Sequence, residues 1–181
     1  MNFKPMTAIA ALLLSVPTFA AADADDDVLI VNGDTELVTK APASAHLDGA
    51  LDEVMSGWHF RADETQALEM DDFDNPGMLA VEAAAEVWST VDGSEGKSCA
   101  SCHDGVEQSM KGVRAVYPKW NDAAQQVRTM EAQINDCREN RMGAKAWKYD
   151  GGDITDMVAL ISLQSRGMPV NVAIDGPVQA T

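Results

Sequence analysis

Cys99-Ala100-Ser101-Cys102-His103 sits at the centre of the chain, led in by Gly96-Lys97-Ser98. The pattern is C-x-x-C-H, the signature of covalent c-type haem attachment. Its logic is geometric. Thiols three residues apart can form thioethers to the two haem vinyl groups, and the next residue, His103, then lies beneath the iron as a proximal ligand. Three other uses compete with this one. A thioredoxin-like C-x-x-C wants a preceding strand and a βαβ context, whereas here a helix and a Gly-rich turn lead in. A zinc site would need Cys137 as its third thiolate, and only that one remote cysteine exists. A plain Cys99–Cys102 disulfide is the remaining alternative.

Upstream, Asn75-Pro76 opens a helix, with Asn75 as cap and Pro76 at the first helical position. Leu79, Ala83 and Val87 recur at helical spacing, and Ala80, Ala84 and Trp88 form a neighbouring stripe, to about Thr90. Gly93 and Gly96 end the run. Residues 64–72 are a shorter helix candidate. Residues 28–31 read as a short β run closed by Asn32-Gly33-Asp34, and residues 35–62 as extended chain anchored by Trp58 and Phe60.

Downstream, residues 106–113 read as a short helical turn, broken at Tyr117-Pro118. Residues 127–141 form a helix candidate carrying Met130, Ile134, Cys137 and Arg138. Residues 153–166 are strongly amphipathic through Ile154, Met157, Val158 and Ile161. Gly167 stands where a helix ends, and Pro169 forbids continuation. Residues 170–181, with Gly176-Pro177, look like a linker. No internal repeat is visible.

Composition bounds the classes. A chain of 181 residues has room for one domain or two small ones, and 46% apolar with 23% charged residues suits a globular protein. Thirteen basic residues against 29 acidic ones leave a net charge of −16, with no broad basic face for a nucleic acid. Three cysteines do not make a disulfide-dense scaffold. The charge is unevenly placed: residues 23–96 hold 19 acids and two bases, while residues 97–148 hold nine bases and six acids. The cysteines therefore lie in an electropositive island, suited to propionates or other anions.

Residues 1–22 have the form of an export signal. Lys4 precedes a short apolar run through Leu12, Leu13 and Leu14, and Ala20-Ala21-Ala22 offers a cleavage site. The run is too short to span a bilayer, and no later stretch reaches about 18 apolar residues. The mature chain is expected in a bacterial periplasm, where covalent haem attachment and disulfides are both possible.

A sixth iron ligand has two main candidates. Cys137 lies 34 residues beyond His103 and Met168 lies 65 beyond it. Methionine is the usual partner in small c-type cytochromes. An odd thiol in an oxidising compartment needs a role, and Arg138, Arg141 and Lys145 would favour its thiolate form. His46 and His59, in the acidic N-terminal region, read as packing or surface residues. Residue chemistry alone leaves Cys137 and Met168 both open.

Five ordered blocks resemble one family. They are Asp72-Phe73 with Asn75-Pro76-Gly77-Met78, the segment from Gly96 to His103, Ser109-Met110-Lys111-Gly112-Val113, Ile134-Asn135 with Cys137-Arg138, and Gln164-Ser165-Arg166-Gly167-Met168-Pro169. Together they are similar to SoxA, the larger subunit of the SoxAX cytochrome of bacterial thiosulfate oxidation. The resemblance implies an N-terminal haem domain whose iron is held by His103 and Cys137, with haem c bound at Cys99 and Cys102. It implies a heterodimer with SoxX that oxidatively joins thiosulfate to a cysteine of the SoxYZ carrier, electrons leaving through haem to an acceptor cytochrome. SoxA proteins carry a second haem domain with a second C-x-x-C-H and the catalytic cysteine. Neither occurs here, so the chain is expected to be a partial or truncated sequence with no catalytic residue of its own.

The expected fold is mainly α: a c-type cytochrome domain with an extended N-terminal segment. The expected organisation is a signal peptide at 1–22, the extended segment at 23–62, the cytochrome c domain at 63–170, and a linker at 171–181. The alternative function is an autonomous periplasmic monohaem electron carrier with Met168 as sixth ligand.

Overall fold

The computed structural model describes residues 28–180; the segment expected to be an export signal, residues 1–22, lies outside them. The first described element is β1, Val28–Val31, paired antiparallel with β2, Thr35–Val38. Leu29 and Val31 are buried while Val28 and Ile30 face outward, the two-residue alternation of a half-covered strand. Asn32 and Gly33 make the bend at φ of 54° and 77°, a region these two residue types tolerate best. A second hairpin follows, β3, Lys40–Pro42, against β4, Glu53–Met55. The stretch expected to be plain extended chain is thus two short hairpins joined by turns.

A 3-10 turn, Gly57–Phe60, then drives Trp58 under the first hairpin. Trp58 is buried with Leu29 and Val31, and Leu37 and Met70 pack on them. Of the two expected anchors only Trp58 is one: Phe60 is 76% exposed. Helix α1, Asp63–Met70, packs on β1, and the Met70 carbonyl accepts the Asn32 N–H at 2.8 Å.

Helix α2, Gly77–Ser89, starts where Asn75 Oδ1 accepts the Gly77 N–H at 2.9 Å. Its buried stripe is Ala84 and Trp88, with Val81 partly covered. The neighbouring stripe faces outward, Leu79 being 70% and Val87 38% exposed. An apolar-rich helix shows two stripes in sequence; the packing partner decides which one is covered. That partner is α6, Gly152–Leu163, which lies along α2. Ile154 and Met157 of α6 are 0% and 1% exposed, and burial at this level stabilises by roughly 1.5–3 kcal/mol per side chain. The α-helix stops at Leu163 and runs on as hydrogen-bonded turns to Gly167, whose φ of 73° ends the element as expected.

Between α2 and α6 come two short helical turns, α3, Ala100–His103, and α4, Val106–Ser109. A hairpin of β5, Lys119–Asn121, and β6, Gln126–Arg128, follows the break at Tyr117-Pro118, where the peptide bond is cis. Helix α5 runs Met130–Cys137. It begins three residues later than the periodicity predicts, because Val127 is paired in the hairpin and Thr129 caps the helix, its Oγ1 accepting the Ala132 N–H at 3.2 Å. Past Cys137 the helix widens into a π turn, Arg138–Met142.

A polar clasp ties the chain's beginning to its end. Arg166 meets Asp72 through two parallel bonds of 2.8 Å, and Asn32 both donates to the Asp72 carboxylate and accepts from the Asp72 N–H, each at 2.9 Å. The segment expected as a linker is tied down at its start, where the Asn171 N–H reaches the Ala115 carbonyl at 2.8 Å. Among the described residues no helix is long and apolar enough to cross a membrane.

Candidate functional site

The C-x-x-C-H segment folds as one helical turn because its own serines close it. The Ser98 N–H donates to Ser101 Oγ at 3.0 Å and the Ser101 N–H donates to Ser98 Oγ at 3.2 Å, a reciprocal cap. The Cys99 carbonyl accepts from the N–H groups of Cys102 and His103 at 3.2 and 3.0 Å. Cys99 and Cys102 thus stand one turn apart, with His103 next. Asp104, at φ 52°, breaks the turn, and its carbonyl accepts the Trp88 indole N–H at 2.8 Å. That bond fixes α3 on α2 and brings the His103 ring to 5.9 Å from the Trp88 ring.

The end of α5, which carries Cys137, lines the same cleft as this turn. Two devices hold the walls together. The loop after α2 is laced to the π turn, with the N–H groups of Ser94 and Glu95 donating to the carbonyls of Gly143 and Met142 at 3.2 and 3.0 Å. Gly93 must be glycine here: its φ is 79°, and a Cβ would collide with the backbone of Met142 to Ala144. The second device is Arg138, which is 5% exposed. Its guanidinium lies 3.8 Å over the Trp147 ring, donates to the Lys145 carbonyl at 3.1 Å and to the Asp92 carboxylate at 2.6 Å. Arg138 therefore ties the loop leading into the cysteines to the helix bearing Cys137. Its bond is also the main reason the Asp92 carboxyl lies below its ordinary value.

Between the walls lies a cleft of about 450 Å³. Cys99, Cys102, His103 and Cys137 all line it. Its apolar surface comes from Trp88, Met110, Tyr117, Met130, Ile134, Met157 and Ile161, and its charged edge from Lys119, Arg138 and Arg141. The electropositive island expected from sequence thus reaches the cleft through three of its nine bases. Burial pushes the Cys99 thiol above its ordinary value; Arg138 pulls it down, while Cys137 and Cys102 push it up. Burial also pushes the Tyr117 hydroxyl up, with Cys137 adding and Arg128 opposing.

Met168 is placed elsewhere. It does not line the cleft; its sulfur packs beside Gly112, 3.3 Å from where a Cβ would stand. His59 packs edge-on against Trp58, with ring centroids 5.3 Å apart, in the N-terminal region. Sequence reasoning missed the β5–β6 hairpin, which brings Lys119 and Asn121 to the cleft, and it missed Gln133. Gln133 carries a readable signal, standing four residues before Cys137 on one helix face.

The donor set fits haem c. Paired thiols one turn apart, an adjoining imidazole, a third thiol and basic side chains line one largely apolar slot, and each is a group such a cofactor uses.

The family model described as SoxA/TsdA, cytochrome c domain, matches residues 83–170. The L-cysteine S-thiosulfotransferase subunit SoxA of Rhodovulum sulfidophilum is 55% identical over 183 residues, covering 98% of this chain and 64% of that protein. The subunit of the same name from Paracoccus pantotrophus is 45% identical over 177 residues, covering 96% of this chain and 61% of that protein. The crystal structure of SoxXA from P. pantotrophus superposes with a TM-score of 0.80 at 46% identity, over 86% of this chain and 60% of that one. The chain spans a little under two thirds of the length of these relatives. A cytochrome c domain implies haem c as its cofactor. Motif, cleft, fold and relatives agree: residues 83–170 are a cytochrome c domain of the SoxA/TsdA type, and the chain is similar to SoxA subunits over nearly its whole length.

Proposed function

We propose that this chain is the haem-bearing N-terminal part of a SoxA subunit. In this reading Cys99 and Cys102 would form the thioethers to a single haem c, and His103 and Cys137 would hold its iron. The observation that carries the reading is the cleft itself, which Cys99, Cys102, His103 and Cys137 line together. Trp88 orients the His103 wall and Arg138 holds the Cys137 wall to it. Lys119 and Arg141 supply positive charge at the rim for propionates. The haem, when bound, supplies one-electron transfer.

With a SoxX partner, the whole subunit would join thiosulfate to a cysteine of the SoxYZ carrier. That step forms one S–S bond, releases the thiol proton and yields two electrons, for which an acceptor cytochrome would be the oxidant. The catalytic cysteine and a second haem belong to a C-terminal domain beyond residues 171–181, which act as the linker. Residues 1–22 direct export to the periplasm and are removed, residues 23–62 form the N-terminal segment, and residues 63–170 form the haem domain. The charge distribution supports this division, since an acidic chain does not steer a dianion such as thiosulfate.

The test is made on protein exported alongside the haem-attachment machinery. Acidic acetone should leave the colour on the polypeptide; colour in the solvent phase overturns the thioether assignment. With SoxX and SoxYZ, the chain should transfer thiosulfate only when a C-terminal haem domain is joined to it. Sustained transfer by residues 1–181 with SoxX alone contradicts the division of labour.

A further inference from the structure

We infer that Gln133 is a positioning residue for the Cys137 sulfur, donating an amide N–H to it and so setting its strength as an electron donor. This rests on the reading of Cys137 as an axial ligand and adds the group that tunes it. On α5 the two residues are four apart, hence on the same face one turn from each other. Gln133 Nε2 lies 3.6 Å from Cys137 Sγ, a distance suited to the large sulfur atom.

The amide's orientation is decided by its other end. A glutamine amide presents an oxygen and a nitrogen that a half-turn would exchange. Gln133 Oε1 faces Arg128 Nη1 at 3.3 Å, and a guanidinium has only donors to offer. The oxygen must therefore point to Arg128 and the nitrogen to the sulfur. Arg128 is itself held by Asp136 at 3.1 Å, with side-chain exposures of 16% and 29%. That ion pair is the main reason the Asp136 carboxyl lies below its ordinary value. The relay runs Asp136, Arg128, Gln133, Cys137, carried by α5 and the strand before it.

A hydrogen bond into a thiolate draws electron density from the sulfur. The sulfur then stabilises Fe(III) less, and the midpoint potential rises. Removing the donor must lower the midpoint. Gln133→Leu keeps the bulk and loses the N–H. Gln133→Glu keeps the shape, loses the N–H and adds a negative charge, so it should lower the midpoint further. Arg128→Met frees the amide to rotate and should shift it in the same direction by less.

The experiment uses the exported, haem-loaded chain. Midpoint potentials and the ferric electron paramagnetic resonance spectrum are recorded for Gln133→Leu, Gln133→Glu, Arg128→Met and Cys137→Ala. The expected result for Gln133→Leu is a roughly tenfold rise in the ferric-to-ferrous ratio at fixed potential, about 59 mV for one electron, with a changed low-spin signal. Gln133→Glu should lie lower still. Unchanged midpoints and signals in both Gln133 variants overturn the inference, provided Cys137→Ala destroys the low-spin thiolate signal. If Cys137→Ala leaves that signal intact, the ligand reading itself fails and the inference falls with it.

Discussion

In residues 28–62 the buried core is Leu29, Val31 and Trp58, a cluster that closes on itself. In the body behind it nine side chains are buried together, and six of them also line the cleft: Trp88, Met110, Tyr117, Met130, Met157 and Ile161. The first region is a small core under two hairpins, fastened to the body by the Asp72, Asn32 and Arg166 clasp. The second is a core built around a cofactor-sized slot. The difference teaches where each region draws its stability. The N-terminal part depends on one indole and a polar clasp, whereas the body depends on whatever its slot is built to hold.

Replacing both attachment cysteines, Cys99→Ser with Cys102→Ser, is the strongest test of that contrast. The body should lose most of its stability, on the order of the 5–15 kcal/mol of a whole domain, seen as loss of near-ultraviolet circular dichroism. A colourless double variant that melts like the parent breaks the comparison. Trp58→Ala acts on the other side. It should cost about 3–5 kcal/mol locally, raising hydrogen exchange in residues 28–62 while leaving the haem spectrum unchanged. A changed haem spectrum would show the two cores to be one.

Asp72→Asn should cost about 1–2 kcal/mol by removing a bidentate, charge-assisted pair. The Asp72 carboxyl is held below its ordinary value chiefly by the Arg166 hydrogen bond; burial opposes this, and Asn32 and the Arg166 charge add to it. Its folded value is depressed, so its contribution is whole above the ordinary carboxylate value and fades as pH falls through the lowered one. In acid melts the parent should lose this increment and the Asp72→Asn variant should not; parallel pH profiles contradict the clasp. Phe60→Ala is expected to change stability by no more than about 0.5 kcal/mol, because the ring is 76% exposed. A cost like that of Trp58→Ala would mean that Phe60 is an anchor after all.

Much of this contrast is legible in sequence, for reasons that can be named. Asn75-Pro76 marks the start of α2 because cap chemistry is local. Gly167 marks the end after α6 because a positive φ suits glycine. The first strand is visible because Val28–Val31 is a mostly β-branched apolar run closed by the turn residues Asn32-Gly33-Asp34. The β5–β6 hairpin is not, since three-residue strands such as Lys119–Asn121 show no period. Val127 reads as helical because apolar spacing cannot register the Thr129 cap. Leu79 and Val87 look as suited to the core as Ala84 and Trp88, and only α6 decides between them. At the site, the motif is local and readable, and the family resemblance selects Cys137. That Cys137 shares a cleft with the motif and that Met168 does not line it are tertiary facts.

In the proposed reading the motif's His103 and Cys137 hold one iron between them. Low-temperature electron paramagnetic resonance of the ferric, exported protein tests it most directly. The prediction is a low-spin thiolate signal that Met168→Ala leaves unchanged and Cys137→Ala converts to high spin. A low-spin state that survives Cys137→Ala and disappears in Met168→Ala would contradict the claim and make this chain a methionine-ligated electron carrier.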